Sequence, residues 1–526
     1  MLLLPGNAGA AVGTLTYESC ITGDTAVGPA GSGACAAIDS ASENADFSGL
    51  RLTRGLAVSG DGKSIYVAGS QDSAVARFKR RRSGELVYKD CITGQIEVGG
   101  AELAKRGDAG SGACHNIPAT TNDGTDTGLE EPSELAVSAD GKSLYVVSEG
   151  DDAFSRFKRN RKNGALTYKG CVSGNTDVGP AEGGGSGACS LIPTAAAGGV
   201  GSGMDGVLRA PIVTPDNRWV YVLSSGDDAI SRFARNTRNG ALIYRGCLTA
   251  EAETGPGGSG ACEALPGMAA GGTDSGFDIP IGTAVSPDGE SLYVASLADD
   301  AVVRFRVRGN GGLVHKGCIA GDIAAAGDCT LVPANAPDGD NSGLASVRGL
   351  AVSPDGRSLY VAAQGDSAVA RFKRKTRNGA IAFKGCISGG ADAGPVEGGG
   401  SGACELATTA TDFGNSSGLD DLSDVAVTAD SRSVYAIADD DDSVVRFKRN
   451  RRNGALAFKR CRSAETASGP VAGGGSGACK LIPSAGAGGQ DSGLDNPFAL
   501  ALSPDDASLY VTGESDSAIA RFTRER

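Results

Sequence analysis

The ten-residue segment GDSAVARFKR, residues 365–374, has six near-copies along the chain, and their spacing constrains the fold more than any other feature. The Arg-Phe pairs begin at Arg77, Arg156, Arg232, Arg304, Arg371, Arg446 and Arg521, about 67–79 residues apart. A fixed period of this length marks a repeat architecture in which each unit buries its apolar faces against its neighbours. The unit around Arg348 reads RGLAVS, PDG, RSLYVAA, QGDS, AVARFKR, KTRNG, AIAFKGC. Four short runs rich in Val, Ile, Tyr and Phe are separated by Pro-Asp-Gly, Gly-Asp-Ser and Arg-Asn-Gly turn signals. Four antiparallel strands per unit, A to D from the inside out, make one propeller blade. Seven units predict an all-β, seven-bladed β-propeller.

The two ends fit a closed ring. The chain begins with GTLTYESC, a D-type strand with no A, B or C before it, and finishes with AIARFTRER, a C-type strand with no D after it. Joining the first strand to the last blade removes an exposed sheet edge. An open solenoid needs distinct caps, and none is visible. Residues 13–526 therefore read as a single propeller. The apolar start, MLLLPGNAGAAVG, ends in small residues with an A-x-A-like pattern at Ala8–Ala10, which reads as the remnant of a truncated secretory signal over residues 1–12.

About 30 residues separate each D strand from the next A strand, long for a loop with no structure of its own. The 14 Cys fall two to each such stretch: Cys20 and Cys35, Cys91 and Cys114, Cys171 and Cys189, Cys247 and Cys262, Cys318 and Cys329, Cys386 and Cys404, Cys461 and Cys479. No CxxC spacing occurs and the two His form no zinc pattern, so a metal framework is not expected. Local disulfides made in an oxidising compartment are, pointing to a secreted, extracellular protein. The count alone does not fix the pairing; the neighbour within each loop is the simplest partner. No apolar run has the length of a membrane helix, so no transmembrane segment is expected.

The stretch AVSPDGRSLYVAAQGDSAVARF followed by NGAIAF resembles the repeat of the lactonase-type seven-bladed propellers, which include 6-phosphogluconolactonase and carboxymuconate-cyclizing enzymes. The TYKGC…GSGAC insertions are similar to those of secreted actinobacterial propellers. The resemblance runs from Gly13 onward and implies the fold. It also implies a lactonase-like hydrolase with polar residues at the central channel mouth, although the matching residues are turn and strand signals.

Repetition itself helps to separate scaffold from site, because a residue present in every blade is structural and a catalytic site breaks the symmetry. By this test Phe372 and its counterparts are expected to fill the layers between blades. The same holds for Tyr66, Tyr145, Tyr221, Tyr293, Tyr360, Tyr435 and Tyr510. Arg371 and its counterparts are expected to pair with the acid five residues upstream, Asp366 in this blade. Asymmetry concentrates at the start of strand A. One position holds Arg54, Ser133, Arg209, Ile281, Arg348, Ser423 and Phe498; the next holds Glu134 and Asp424 among small residues. Arg54, Arg209 and Arg348 can fix an anion, and Glu134 or Asp424 can activate water.

Charge is segregated as well, within a net of −13. Nearly half of the Lys and Arg lie in the C–D turns, for example KRNRKNG from Lys158 and KRNRRNG from Lys448. The B–C loops are acidic, and Asp151, Asp227, Asp299 and Asp441 are the residues there that could take Ca²⁺. The basic face suits an anionic polymer, a cell-envelope component or a small anionic ligand. Nucleic acid is not expected for a secreted acidic chain without aromatics between its basic residues. Two functions are thus in play: an extracellular binding scaffold, and a lactonase-like hydrolase at the channel mouth.

Overall fold

The computed structural model describes residues 12–99, 111–207, 211–324, 329–395 and 402–526. Seven sheets are arranged as blades, and each has five strands rather than four. In blade 5, strand A is Val347–Val352, B is Ser358–Ala363, C is Ala368–Arg374 and D is Ile381–Gly390. These four pair antiparallel in order. Strand B is buried at all six positions, because blades cover both of its faces.

The fifth strand, Cys404–Thr411, runs parallel to D, with Cys386 opposite Cys404. It occupies the tail of the stretch read as loop. Its sequence hides it: the equivalent strands in blades 1, 2, 3, 4 and 6 contain Pro118, Pro193, Pro266, Pro333 and Pro483. Proline cannot donate to a ladder and is tolerated on an outer edge.

The disulfides take the local pairing expected of them. Cys20 is joined to Cys35, Cys91 to Cys114, Cys171 to Cys189 and Cys247 to Cys262. Likewise Cys318 is joined to Cys329, Cys386 to Cys404 and Cys461 to Cys479. What differs from the expectation is their setting. Cys35, Cys114, Cys189, Cys262, Cys329, Cys404 and Cys479 stand at the start of the fifth strand, so each bond staples two paired strands rather than closing a free loop. Each bond also packs against a glycine just ahead of strand A. At Gly343, for instance, φ is +84° and a Cβ would strike the Cys386 sulfur, so only glycine fits.

The ring closes through its ends. Leu15–Asp24 supplies strand D of blade 7, antiparallel to Ala518–Arg524, and Ala36–Ser42 adds the fifth strand.

The repeated segment is scaffold, but not through the pairing anticipated for it. Asp366 is buried, and its carboxylate accepts the amide N–H groups of Asn341, Gly343 and Ala345 at 2.7, 2.6 and 3.0 Å. It pins the lead-in to strand A of its own blade. Arg371 instead donates to the carbonyls of Asn453 in the next blade and Lys384 in its own, at 3.0 and 2.9 Å. The acid is consumed by backbone amides and cannot serve the arginine as well. Phe372 is fully buried and meets Phe383 edge-on at 5.6 Å.

A second arginine, at the end of strand C, makes the ion pair. Arg449 donates Nε to the Tyr360 hydroxyl at 2.7 Å and Nη2 to Asp355 at 3.0 Å, both in the preceding blade. The Tyr360 hydroxyl itself donates to the Gly454 carbonyl at 2.7 Å. Six junctions carry such an arginine–aspartate pair. The strand B tyrosines are thus core residues with a polar tip, and each locks one blade to the next.

Candidate functional site

The B–C loops and the starts of strand A meet at the channel mouth. Arg54 donates Nε to Glu514 at 2.8 Å and Nη1 to Glu149 at 3.3 Å, and its guanidinium lies 5.8 Å from the Phe498 ring centre. Burial works against its charge, but Glu514, Glu149 and Glu131 more than offset that and hold the guanidinium above its ordinary range. Arg348 forms an ion pair with Asp439 at 3.8 Å. Glu149, Asp439 and Glu514 each follow directly on strand B in blades 2, 6 and 7. That column of the repeat is asymmetric too, with Ser70, Ser225, Leu297 and Gln364 in the other blades.

Glu134 and Asp424 lie against the glycines of the preceding blade. A Cβ on Gly55 or Gly349 would come within 2.6 Å of their carboxylate oxygens. Asp424 also accepts the Val425 amide at 2.7 Å. Glu134 thus packs against the residue that follows Arg54, and Asp424 against the residue that follows Arg348, at the 1/2 and 5/6 junctions. Arg209 lies outside the described residues. Around the two described arginines the carboxylates are in excess, so the mouth is an acidic environment. Nearby, burial and the charge of Asp151 push Glu130 up to about 8.

Asp151, Asp227, Asp299 and Asp441, the residues considered for Ca²⁺, already have partners in the backbone. All four are buried and accept backbone N–H groups, as Asp227 does from Gly201, Gly203 and Asp205 at 2.7, 2.7 and 3.0 Å. At least one oxygen of each holds the lead-in loop, and in Asp151 it is Oδ2 alone, Oδ1 being buried without a partner. Among the described residues no group of three or more His, Cys, Asp or Glu side chains is arranged to hold a metal ion.

The opposite face carries the A–B and C–D turns. Between blades 2 and 3 it opens a cavity of ≈ 750 Å³ walled by Lys142, Arg156, Lys158, Arg161, Lys169 and Arg238 among others. Between blades 6 and 7 a cavity of ≈ 1040 Å³ is walled by Lys448, Arg451, Arg452, Lys459 and Arg460 among others. Among the described residues, no carboxylate lines either one. Arg156 in the first and Arg446 in the second are held below the ordinary arginine range, chiefly by burial. Such a groove gains from an arriving anion.

No family model matches the chain, and no curated protein does. Several solved structures are similar in outline. A periplasmic gluconolactonase from Pseudomonas aeruginosa is 14% identical, with a TM-score of 0.46 over 78% of this chain and 84% of that one. A 6-phosphogluconolactonase candidate from Bacteroides uniformis is 16% identical, with a TM-score of 0.46 over 77% and 83%. The β-propeller domain of Cps50 (Swd1) from Myceliophteria thermophila is 10% identical, with a TM-score of 0.47 over 90% and 96%. At these values the likenesses say nothing about chemistry.

Proposed function

We propose that this propeller is a secreted scaffold that binds an anionic polymer of the cell envelope or its surroundings through the face bearing the C–D turns. The observation that carries the reading is the pair of inter-blade grooves walled by cationic side chains without a carboxylate among the described residues. Seven disulfides suit an oxidising compartment. No helix among the described residues is long and apolar enough to cross a membrane.

The hydrolytic alternative rests on Arg54, Arg209, Arg348, Glu134 and Asp424. Two features favour the scaffold over it. Arg54 and Arg348 are already matched by carboxylates, and the surplus acid around them repels the anionic substrates that arginines would be there to hold.

The test is binding of inorganic polyphosphate and heparin at rising salt. Affinity is expected to fall at least tenfold between 50 and 300 mM NaCl, as screening weakens charge attraction. Replacing the exposed Arg161, Lys162, Arg451 and Arg452 by Gln should weaken binding by a similar factor. Binding indifferent to salt and to these replacements, or lactone turnover abolished by Glu134→Gln and Asp424→Asn, would overturn the proposal.

A further inference from the structure

The seven junctions are not alike, and the exception lies on the basic face. At the 5/6 junction Ser358 begins strand B, Lys373 stands opposite it, and Arg449 of the next blade reaches Tyr360. At the 3/4 junction all three positions change together. Trp219 replaces the serine, Ala234 stands opposite it, and Val307 replaces the arginine. A cation is withdrawn, an indole enters, and the residue beside the indole is cut back to a methyl group. Trp219 is the chain's one tryptophan.

Part of this change is packing. Gly311 of blade 4 lies directly on the indole, so close that a Cβ there would strike the ring. Tyr221 keeps its bond to the Gly311 carbonyl at 2.7 Å. Yet Trp219 is only half-buried, unlike the fully buried tyrosines. It lines an open groove of ≈ 480 Å³ together with Arg218, Asn236, Arg238 and Gly309. The Arg232 guanidinium lies 5.9 Å from the indole centre, and its Nε is buried without a hydrogen-bond partner. Asp216, the nearby turn acid, accepts from Thr214 and from the Arg218 amide.

Arg238 also walls the cationic groove between blades 2 and 3. The two grooves therefore adjoin across one turn. One offers an aromatic ring edged by arginines; the other offers cations alone.

We infer that the 3/4 junction is a stacking site for the sugar rings of an anionic glycan, with Trp219 as the platform and Arg218 and Arg238 as partners for its acidic groups. The inference rests on the proposed polyanion-binding role and specifies the class of polymer. A pyranose ring presents a flat face of C–H groups, whose positive edges suit the negative face of an indole. Phosphate chains and sulfate groups present no such face. Acidic groups along the same glycan would follow the arginines into the neighbouring groove.

Trp219 reports on its own occupancy, so the experiment is a fluorescence titration of the intact oxidised protein. The probes are hexagalacturonate, its neutral analogue, inorganic polyphosphate and a single-stranded DNA oligomer. Hexagalacturonate is expected to shift or quench the emission. Polyphosphate is expected to bind, by calorimetry, without doing so. Trp219→Ala should weaken hexagalacturonate at least fivefold and leave polyphosphate unchanged. Should that variant fail to fold, Ala234→Lys decides instead, because it installs the residue that Lys373 represents in blade 5. It adds a positive charge while covering the indole, so stacking predicts weaker hexagalacturonate binding and charge alone predicts tighter. Polyphosphate binding with no emission change from hexagalacturonate would overturn the stacking site and leave the basic face standing. An emission response to DNA but not to hexagalacturonate would also overturn it. No binding of any polyanion would remove the parent reading together with this one.

Discussion

Asp442 is the residue through which pH should act most visibly on this fold. It has φ of +44° and lies buried at the 6/7 junction. Its Oδ1 accepts one bond, from the Asn496 amide at 2.7 Å, while Gly489 packs on Oδ2. Burial is the main cause, and the charges of Asp495, Glu465 and Asp516 add to it, so the carboxyl is pushed up to about 9 against the pull of the Asn496 bond. The native state thus holds a proton that the unfolded chain releases near pH 4. The associated stability is fully present below about pH 4 and is lost as pH rises through about 9. Between pH 5 and 8 the span of three units corresponds to at most about 4 kcal/mol, and water entering on ionisation reduces this to about 2 kcal/mol. Asn keeps the acceptor, tolerates a left-handed backbone and has no proton to lose. Asp442→Asn should therefore match the parent at pH 5 and exceed it at pH 8 by about 2 kcal/mol, or about 2 °C in thermal unfolding of a chain this long. Scanning calorimetry at both pH values measures the difference. A gap equal at the two values would show that Asp442 does not carry this pH dependence.

Other outcomes follow from the same contacts. Arg449→Ala leaves Tyr360 and Asp355 without their partner, and denaturant unfolding should show a loss of about 3 kcal/mol. The paired change Cys386→Ser with Cys404→Ser removes one D-strand staple, at a cost of about 3 kcal/mol by the same assay. Deleting residues 12–24 uncovers the outer side of Ala518–Arg524, and light scattering should report self-association through the exposed edge.

Much of this architecture was legible because it repeats. The period of Arg371 and its counterparts, the core tyrosines and the two Cys per unit follow from one unit read seven times, and the closing strand follows from the two incomplete ends; local disulfide pairing was the simplest choice and not a deduction. In five blades the outer strand was hidden by a proline, which signals an edge and a loop alike. The partners of Asp366 were hidden because they are backbone amides more than twenty residues upstream, and an amide carries no residue type to recognise. Ion pairing is expected of Arg371, whereas Arg449, three residues after Arg446, shows where it resides. The mouth was half legible: Arg54 and Arg348 stood out, but Glu149, Glu514 and Asp439 come from a different column of the repeat. Trp219 is the one tryptophan of the sequence, and only the half-open groove beside it suggests a role beyond packing.

The most direct test of the account is a hydrogen-exchange footprint of the protein with and without a bound polyanion such as heparin. Slowed exchange is expected in the C–D turns, at residues 159–165, 235–241 and 449–455, with the B–C loops unchanged. Protection confined to the channel mouth around Arg54 and Arg348, with the basic turns unaffected, would contradict it.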